Sequence, residues 1–368
     1  MRIIVSQEDF SSALQTVQRS ISQRTTLPVL NGILIEGSEG RLRLVATDLE
    51  LGIERYVPAE VFLRGAVVLP ARYLVDLVRK IPSGSINLEI DASSWTATAR
   101  WGKSEFLLHG FPPDQFPSLP AVSGTGFLRI PPPLMRDMVR QTIFCISQDE
   151  TRPALTGVLV QVKGELIEMA STDGVRLSVR KAHLSQQVDT YWQAIIPGRS
   201  LAELNRALSG EEEEMEMVLG DSQCAFQLRH TVITSRLIDG QFPKYEQVIP
   251  QHYPTRARVK RREFHDACER ASLLSPAGAN PVHIDLGEAG MAVSAFSQEI
   301  GRVREEIEAS VEGEQLQVTF NARYLMEALR ALEGDEIWLE SSGPLSPSRL
   351  REVDSEDFFH ILLPLRPL

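Results

Sequence analysis

The sequence predicts an α+β chain made of three tandem copies of one domain, each of roughly 120 residues. Three observations predict it. A helix-like segment recurs at nearly constant spacing, other landmarks recur with it in the same order, and each copy mixes helical with two-residue hydrophobic periods.

The recurring segment reads LPARYLVDLVR at 69–79, IPGRSLAELNR at 196–206 and FNARYLMEALR at 320–330. Each carries Arg, Leu two residues on, an acid four on and a second Arg seven on, and the anchors Arg72, Arg199 and Arg323 are 127 and 124 residues apart. LPVLNGILI (27–35) matches RPALTGVLV (152–160), VATDLELGI (45–53) matches ASTDGVRLS (170–178), and GFPPDQFPSLP (110–120) matches DGQFPKYEQVIP (239–250). Helical openings recur at 8–21, 132–144 and 261–274. The third copy is the most degenerate, with AVSAFSQEIG (292–301) where the others carry Thr-Asp. The expected domains are therefore 1–122, 123–252 and 253–368.

Within a copy, Pro70 stands just before the repeated helix, where a missing N–H costs nothing. The stretch 86–110 alternates polar and apolar residues and reads as a two-stranded hairpin. The Pro-rich stretches 111–120 and 243–254 read as copy ends and linkers. Asp48 and Asp173 occupy equivalent places and read as turn residues whose carboxylates cap nearby N–H groups.

Composition excludes several classes. With 43 % hydrophobic and 24 % charged residues the chain is globular, and no apolar run reaches the roughly 20 residues of a membrane helix. The opening MRIIVSQEDF meets acids too soon for a signal peptide. Cys145, Cys224 and Cys268 form no CxxC pair, which indicates neither a disulfide framework nor a thiolate metal site, and points to a reducing cytoplasm. GKS at 102–104 lacks the phosphate loop's first glycine, because position 97 is Ala. The seven histidines show no ligand spacing, Glu211 to Glu214 reads as a solvated loop, and no catalytic constellation, cofactor or metal is expected. A nuclease with dispersed carboxylates would need converging acids, whereas the copies share Arg and Leu more than acids.

The net charge of −11 argues against nucleic acid unless positive charge is concentrated. In the repeated helix the two arginines lie about 20° apart and the acid about 40° away, opposite the leucines. This gives a narrow polar stripe carrying Arg72 and Arg79, Arg199 and Arg206, and Arg323 and Arg330. The six candidate helices sum to +4, leaving −15 elsewhere. Such a surface positions a duplex without reading its bases. A domain of this size is about 35 Å across, so three in a ring leave a hole of about 5 Å and six leave about 35 Å. B-DNA is roughly 20 Å wide, so encirclement requires a dimer.

In the order LPVLNGILI, ATDLE, LPARYL, FP, RPALTGVLV, STDGVRLS, IPGRSL, DGQFPKYEQVIP and LLPLRPL, the whole chain resembles the bacterial β sliding clamp family, the β subunit of DNA polymerase III. The resemblance implies a non-catalytic homodimer, closed head to tail as a six-domain ring with helices lining the channel under outer sheets. It implies double-stranded DNA as a non-specific partner, with no membrane partner. It also implies a pocket between the second and third domains for short apolar motifs. Such motifs belong to the polymerase III catalytic subunit, the clamp loader, and other polymerases and repair proteins.

By position, the pocket would be Arg152, Leu155, Thr172, Gly174, Val175, Arg176, Leu177, Pro243, Val248, Asn321, Tyr324, Leu363, Pro364, Leu365 and Arg366, with Arg176 and Arg366 fixing the motif's polar ends. DNA contacts would include Arg24, Arg72 and the loop from Gln148 and Asp149 to Arg152, beside the other stripe arginines Arg79, Arg199 and Arg206. The dimer seam would set Leu273 and Leu274 against Phe106 and Leu108 of the second subunit. Val175 stands where many members have His, Gln247 where some have Arg, and the tail ends LRPL. These departures favour a greasier contact at Val175, or a specialised copy with weaker partner binding.

Overall fold

The computed structural model describes residues 1–368 apart from 23–24, 120–125, 211–212, 275–279 and 367–368. The chain separates into two compact units, Met1–Met135 with Arg199–Leu237, and Arg136–Gly198 with Ile238–Leu368. The second copy is thus shared between units. Its sheets explain why, once the elements are laid out.

The first copy contains β1 (Arg2–Ser6), α1 (Gln7–Val17), β2 (Gly32–Ser38), β3 (Arg41–Thr47), β4 (Leu51–Pro58), β5 (Glu60–Leu63), β6 (Gly65–Pro70), α2 (Ala71–Lys80), β7 (Ser85–Asp91), β8 (Thr96–Trp101) and β9 (Ser104–His109). The second contains β10 (Gly126–Ile130), α3 (Pro132–Thr142), β11 (Gly157–Thr172), β12 (Arg176–Pro197), α4 (Gly198–Ala207), β13 (Met215–Leu219), β14 (Gln223–Gln227) and β15 (Thr231–Arg236). The third contains β16 (Thr255–Lys260), α5 (Arg261–Ser272), β17 (Pro281–Gly287), β18 (Gly290–Ser297), β19 (Gly301–Ile307), β20 (Ala309–Glu312), β21 (Leu316–Asn321), α6 (Ala322–Ala331), β22 (Glu336–Ser341), β23 (Ser348–Glu352) and β24 (Phe358–Leu362).

The first unit holds a sheet β5-β1-β7-β8-β9 and a sheet β10-β13-β14-β15-β4-β3-β2-β6; the second holds β11-β12-β24-β23-β22-β16-β20 and β19-β18-β17-β21. In each unit one sheet runs from one copy into the next. The final strand of a copy pairs antiparallel with the strand that follows the Thr-Asp turn of the copy before it. Thr231–Ser235 of β15 lies on Arg55–Leu51 of β4, and Phe358–Leu362 of β24 lies on Arg180–Arg176 of β12. These shared sheets cut the second copy in two.

The repeated helices bury the face their period dictates. α2 buries Ala71, Leu74, Val75 and Val78, and α6 buries Ala322, Leu325, Ala328 and Leu329. Truncating Leu325 or Leu329, both fully buried, would cost about 2–5 kcal/mol. Asn321 caps α6, accepting from the N–H groups of Arg323 (3.0 Å) and Tyr324 (3.4 Å), which satisfies two donors the helix leaves open.

Two sequence expectations change. The stretch 86–110 is a three-stranded meander, β7-β8-β9, because it turns twice, with Trp95 (φ 52°) and Gly102 (φ 54°) both left-handed. The Pro-rich stretches are not free linkers: Phe116 is buried among Val29, Leu30, Leu34, Val45 and Val68, and Tyr245 among Leu159, Leu177, Ile195 and Ile361. One large apolar side chain per stretch is enough to fasten it to its sheet. Of the acidic run, 211 and 212 lie outside the described residues, and Glu213 is 3.5 Å from Arg229.

Candidate functional site

The second unit carries an apolar cavity of about 640 Å³, built around the Thr-Asp-Gly turn. Asp173 organises that turn, its Oδ1 accepting from the N–H of Val175 (3.0 Å) and of Arg176 (3.1 Å). Gly174 takes φ 96°, a conformation that suits glycine. The equivalent first-copy turn is built alike, Asp48 capping Glu50 (3.1 Å) and Leu51 (2.8 Å), with Leu49 left-handed at φ 77°. The shared carboxylates are turn-builders, as the sequence indicated.

Ten of the residues proposed from sequence line the cavity: Arg152, Leu155, Thr172, Gly174, Val175, Arg176, Leu177, Pro243, Val248 and Leu363. Val175, Val248 and Leu363 are 46, 53 and 41 % exposed, so the wall offers apolar surface to an occupant. Five expected residues are absent from the lining. Asn321 caps α6, and Tyr324 packs beneath Arg176 at 4.1 Å from its ring centroid. Pro364, Leu365 and Arg366 run past the cavity, because Leu363 N–H donates to Val175 O (3.0 Å) and Leu365 N–H to Thr319 O (2.7 Å). The tail is thus pinned to strand ends, and among its described residues Leu363 is the one that faces the cavity.

Arg176 also departs from expectation. Its guanidinium is buried and donates to Asp173 (2.9 Å), to Glu327 and to the Phe144 carbonyl (2.8 Å), so three of its five N–H groups are engaged within the unit. Burial opposes its charge, yet the bonds to Glu327 and Asp173 hold it above the usual arginine value. Arg176 is part of the wall's frame. Beside it, His360 is buried, bonded through Nδ1 to Ser178 Oγ (2.6 Å) and stacked on Phe144. Burial and the neighbouring Arg176 charge push His360 down to about 3, and burial pushes Cys145 up to about 12.

The sequence reading had noted Gln247, which also lines the cavity, but missed Tyr245, Ile249, Pro250, Ser342, Ser346, Pro347 and Ile361 in the lining. Ile361 belongs to a strand pattern that was legible. The loop before β23 carries no periodicity that announces a cavity wall.

Among the stripe arginines, Arg72 is exposed on α2, and Arg79 pairs with Asp76 at 3.1 Å. Arg199 is tied to Asp48 and to the Arg19 carbonyl (3.0 Å), and Arg206 to Glu203, which is itself buried and 3.7 Å from Arg19. The second-copy stripe is therefore largely neutralised inside its unit. Gln148 and Asp149 are exposed; hydrogen bonds from Thr151 hold the Asp149 carboxyl below the usual range, so that loop stays anionic. Arg24 lies outside the described residues.

Of the seam candidates, Phe106 and Leu108 are half-buried on β9, an edge strand. Leu273 is 75 % exposed, whereas Leu274 packs on the core of its own copy. Among the described residues one group of possible metal ligands meets, His265, Asp266 and Glu269. Arg330 donates to His265 Nε2 at 3.1 Å and lies 3.9 Å from Glu269, so a cation already answers that cluster. Among the described residues no helix is long and apolar enough to cross a membrane.

Comparison with known proteins agrees along the whole chain. The N-terminal, central and C-terminal domains of the DNA polymerase III beta subunit match residues 1–120, 129–244 and 246–366. The chain is 34 % identical to the beta sliding clamp of Bacillus subtilis over 378 residues, covering both proteins fully. It is 35 % identical to that of Staphylococcus aureus over 376 residues, covering all of this chain and 99 % of that one. The solved B. subtilis sliding clamp superposes with a TM-score of 0.97 at 34 % identity, and a Pseudomonas aeruginosa sliding clamp bound to griselimycin with 0.94 at 27 %, each covering both chains completely. Three tandem clamp domains of mixed helix and sheet, matched in order and over their full length, place this chain in the DNA polymerase III beta subunit family, the sliding clamps.

Proposed function

We propose that the chain closes head to tail with a second copy into a ring around double-stranded DNA. The ring would hold the replicative polymerase there through the cavity of the second unit. The observation that carries the ring is the repeated junction. At both internal junctions, a copy's last strand pairs with the strand after the preceding copy's turn. The strands in those places that lack such a neighbour are β19 of the third copy and β9 of the first, both sheet edges. Two chains satisfy both edges twice, and such a heterologous contact closes when the rotation permits. Carrying the internal registers over to the seam would set Gly301 opposite Leu108, Val303 opposite Phe106 and Glu305 opposite Ser104. Oxidising a Phe106→Cys/Val303→Cys variant should give a covalent dimer, because paired strands bring Cα atoms within disulfide reach. Absence of that cross-link in a protein that is dimeric would overturn this seam.

The domains are read as 1–122, 123–252 and 253–368. DNA would be held by topology more than by contact energy, since Arg72 is free to meet phosphate while Arg199 and Arg206 have carboxylates at hand. The cavity suits a short motif with two or three large apolar side chains, and the griselimycin-bound relative shows that a clamp of this fold accepts a ligand. Candidate owners of such motifs are the polymerase III catalytic subunit, the clamp loader, and other polymerases and repair proteins. No catalytic role is assigned, and three buried free cysteines suit the cytoplasm.

A further inference from the structure

The cavity wall and the polar face of α6 share one carboxylate. Glu327 binds buried Arg176 through Oε2, while its Oε1 lies 3.9 Å from Arg323, four residues earlier on the same helix. Arg323 is 62 % exposed and lies 5.0 Å over the Tyr324 ring, on which Arg176 also packs. Arg176 in turn holds Asp173, the carboxylate that shapes the turn. Val175 and Leu177, on either side of Arg176, are cavity wall. An unbroken series of charged contacts thus runs from an exposed helix face to the motif-binding surface.

We propose that Glu327 is a positioning residue for the cavity, and that it makes motif affinity rise when Arg323 engages a DNA phosphate. The inference rests on the reading that α6 faces DNA and the cavity takes a motif. In the free protein two guanidinium groups draw on one carboxylate. A phosphate at Arg323 takes up that cation and leaves Glu327 to Arg176. The turn carrying Val175 and Leu177 is then held more firmly in its motif-accepting shape, and less ordering remains to be done on binding. Reciprocity requires that a bound motif strengthen the DNA contact by the same factor. Because Arg323 is exposed and its carboxylate contact long, the gain should be small, on the order of two- to fivefold.

The test uses full-length ring loaded onto nicked circular DNA by clamp loader and ATP, freed of loader, and titrated with a fluorescent Gln-Leu-x-Leu-Phe peptide beside the DNA-free protein. Wild type should bind two- to fivefold tighter on DNA. Arg323→Ala, an exposed change that leaves folding intact, should bind the peptide in the free state as tightly as DNA-loaded wild type and gain nothing further on DNA. That rise in free-state affinity is one a merely structural residue would not produce. Glu327→Gln should weaken free-state binding and also lose the gain, whereas Arg72→Ala, in the other unit, should keep it. Equal wild-type affinity on and off DNA, or a gain that survives Glu327→Gln, overturns the coupling alone. No peptide binding by wild type in either state overturns the cavity reading, and this proposal with it.

Discussion

Leu273→Asp should convert the dimer into a folded monomer. Leu273 follows the last residue of α5 with three quarters of its surface exposed in a single chain, a large apolar area to leave in water. Its counterparts in the earlier copies both touch the next copy: Phe144 stacks on His360, and Arg19 lies 3.7 Å from Glu203. Leu274 is a poorer target, because it packs on its own core and an Asp there would destabilise the fold itself. Burying a leucine contributes about 1.5–3 kcal/mol, and an unpaired carboxylate in its place adds about 1–3 kcal/mol of desolvation. Each seam should therefore lose about 2.5–6 kcal/mol, and a two-seam ring about twice that, or roughly four to nine orders of magnitude in the dimer constant. At micromolar concentration sedimentation should report 41.1 kDa rather than twice that mass, with an unchanged circular dichroism spectrum and a cooperative melt that no longer depends on protein concentration. A Leu273→Asp protein that stays dimeric and native would refute the seam placement.

Two further outcomes follow from the cavity and its surroundings. Leu363→Ala removes a tail side chain that lines the wall and should weaken a motif peptide by about 1 kcal/mol, or roughly fivefold. Leu365→Ala should matter less than twofold or so by fluorescence polarisation, and the opposite ranking would put Leu365 in the site. His360 is held near 3 when folded, below an unfolded histidine's value of about 6.5, so the unfolded chain takes up the proton first as pH falls. Its contribution is whole above about pH 6.5 and is lost on acidification toward 3, at up to about 1.4 kcal/mol per pH unit. Urea titrations between pH 7 and 4 should show that slope reduced in His360→Gln; identical slopes would remove His360 as its source.

Much of this was legible because it is local. The repeated helix announces itself by 3.6-residue period and by recurrence, and Asp48 and Asp173 by a turn chemistry that needs only the next three residues. What stayed hidden is non-local or contrary to a side chain's habit. No pattern within β4 or β15 says that they pair across 176 residues, though that pairing joins the copies. Arginine is ordinarily exposed, so the burial of Arg176 between two carboxylates could not be read from the motif that contains it. The wall residues of the loop before β23 are Ser and Pro, which signal a turn and nothing about what it borders.

Encirclement is a topological property, and retention on closed DNA measures it. Ring loaded onto nicked circular duplex should co-elute with the DNA in salt high enough to screen its few phosphate contacts, and should be released when a restriction enzyme linearises the circle. Release from circle and line at the same rate, or retention on the line without blocked ends, would contradict encirclement.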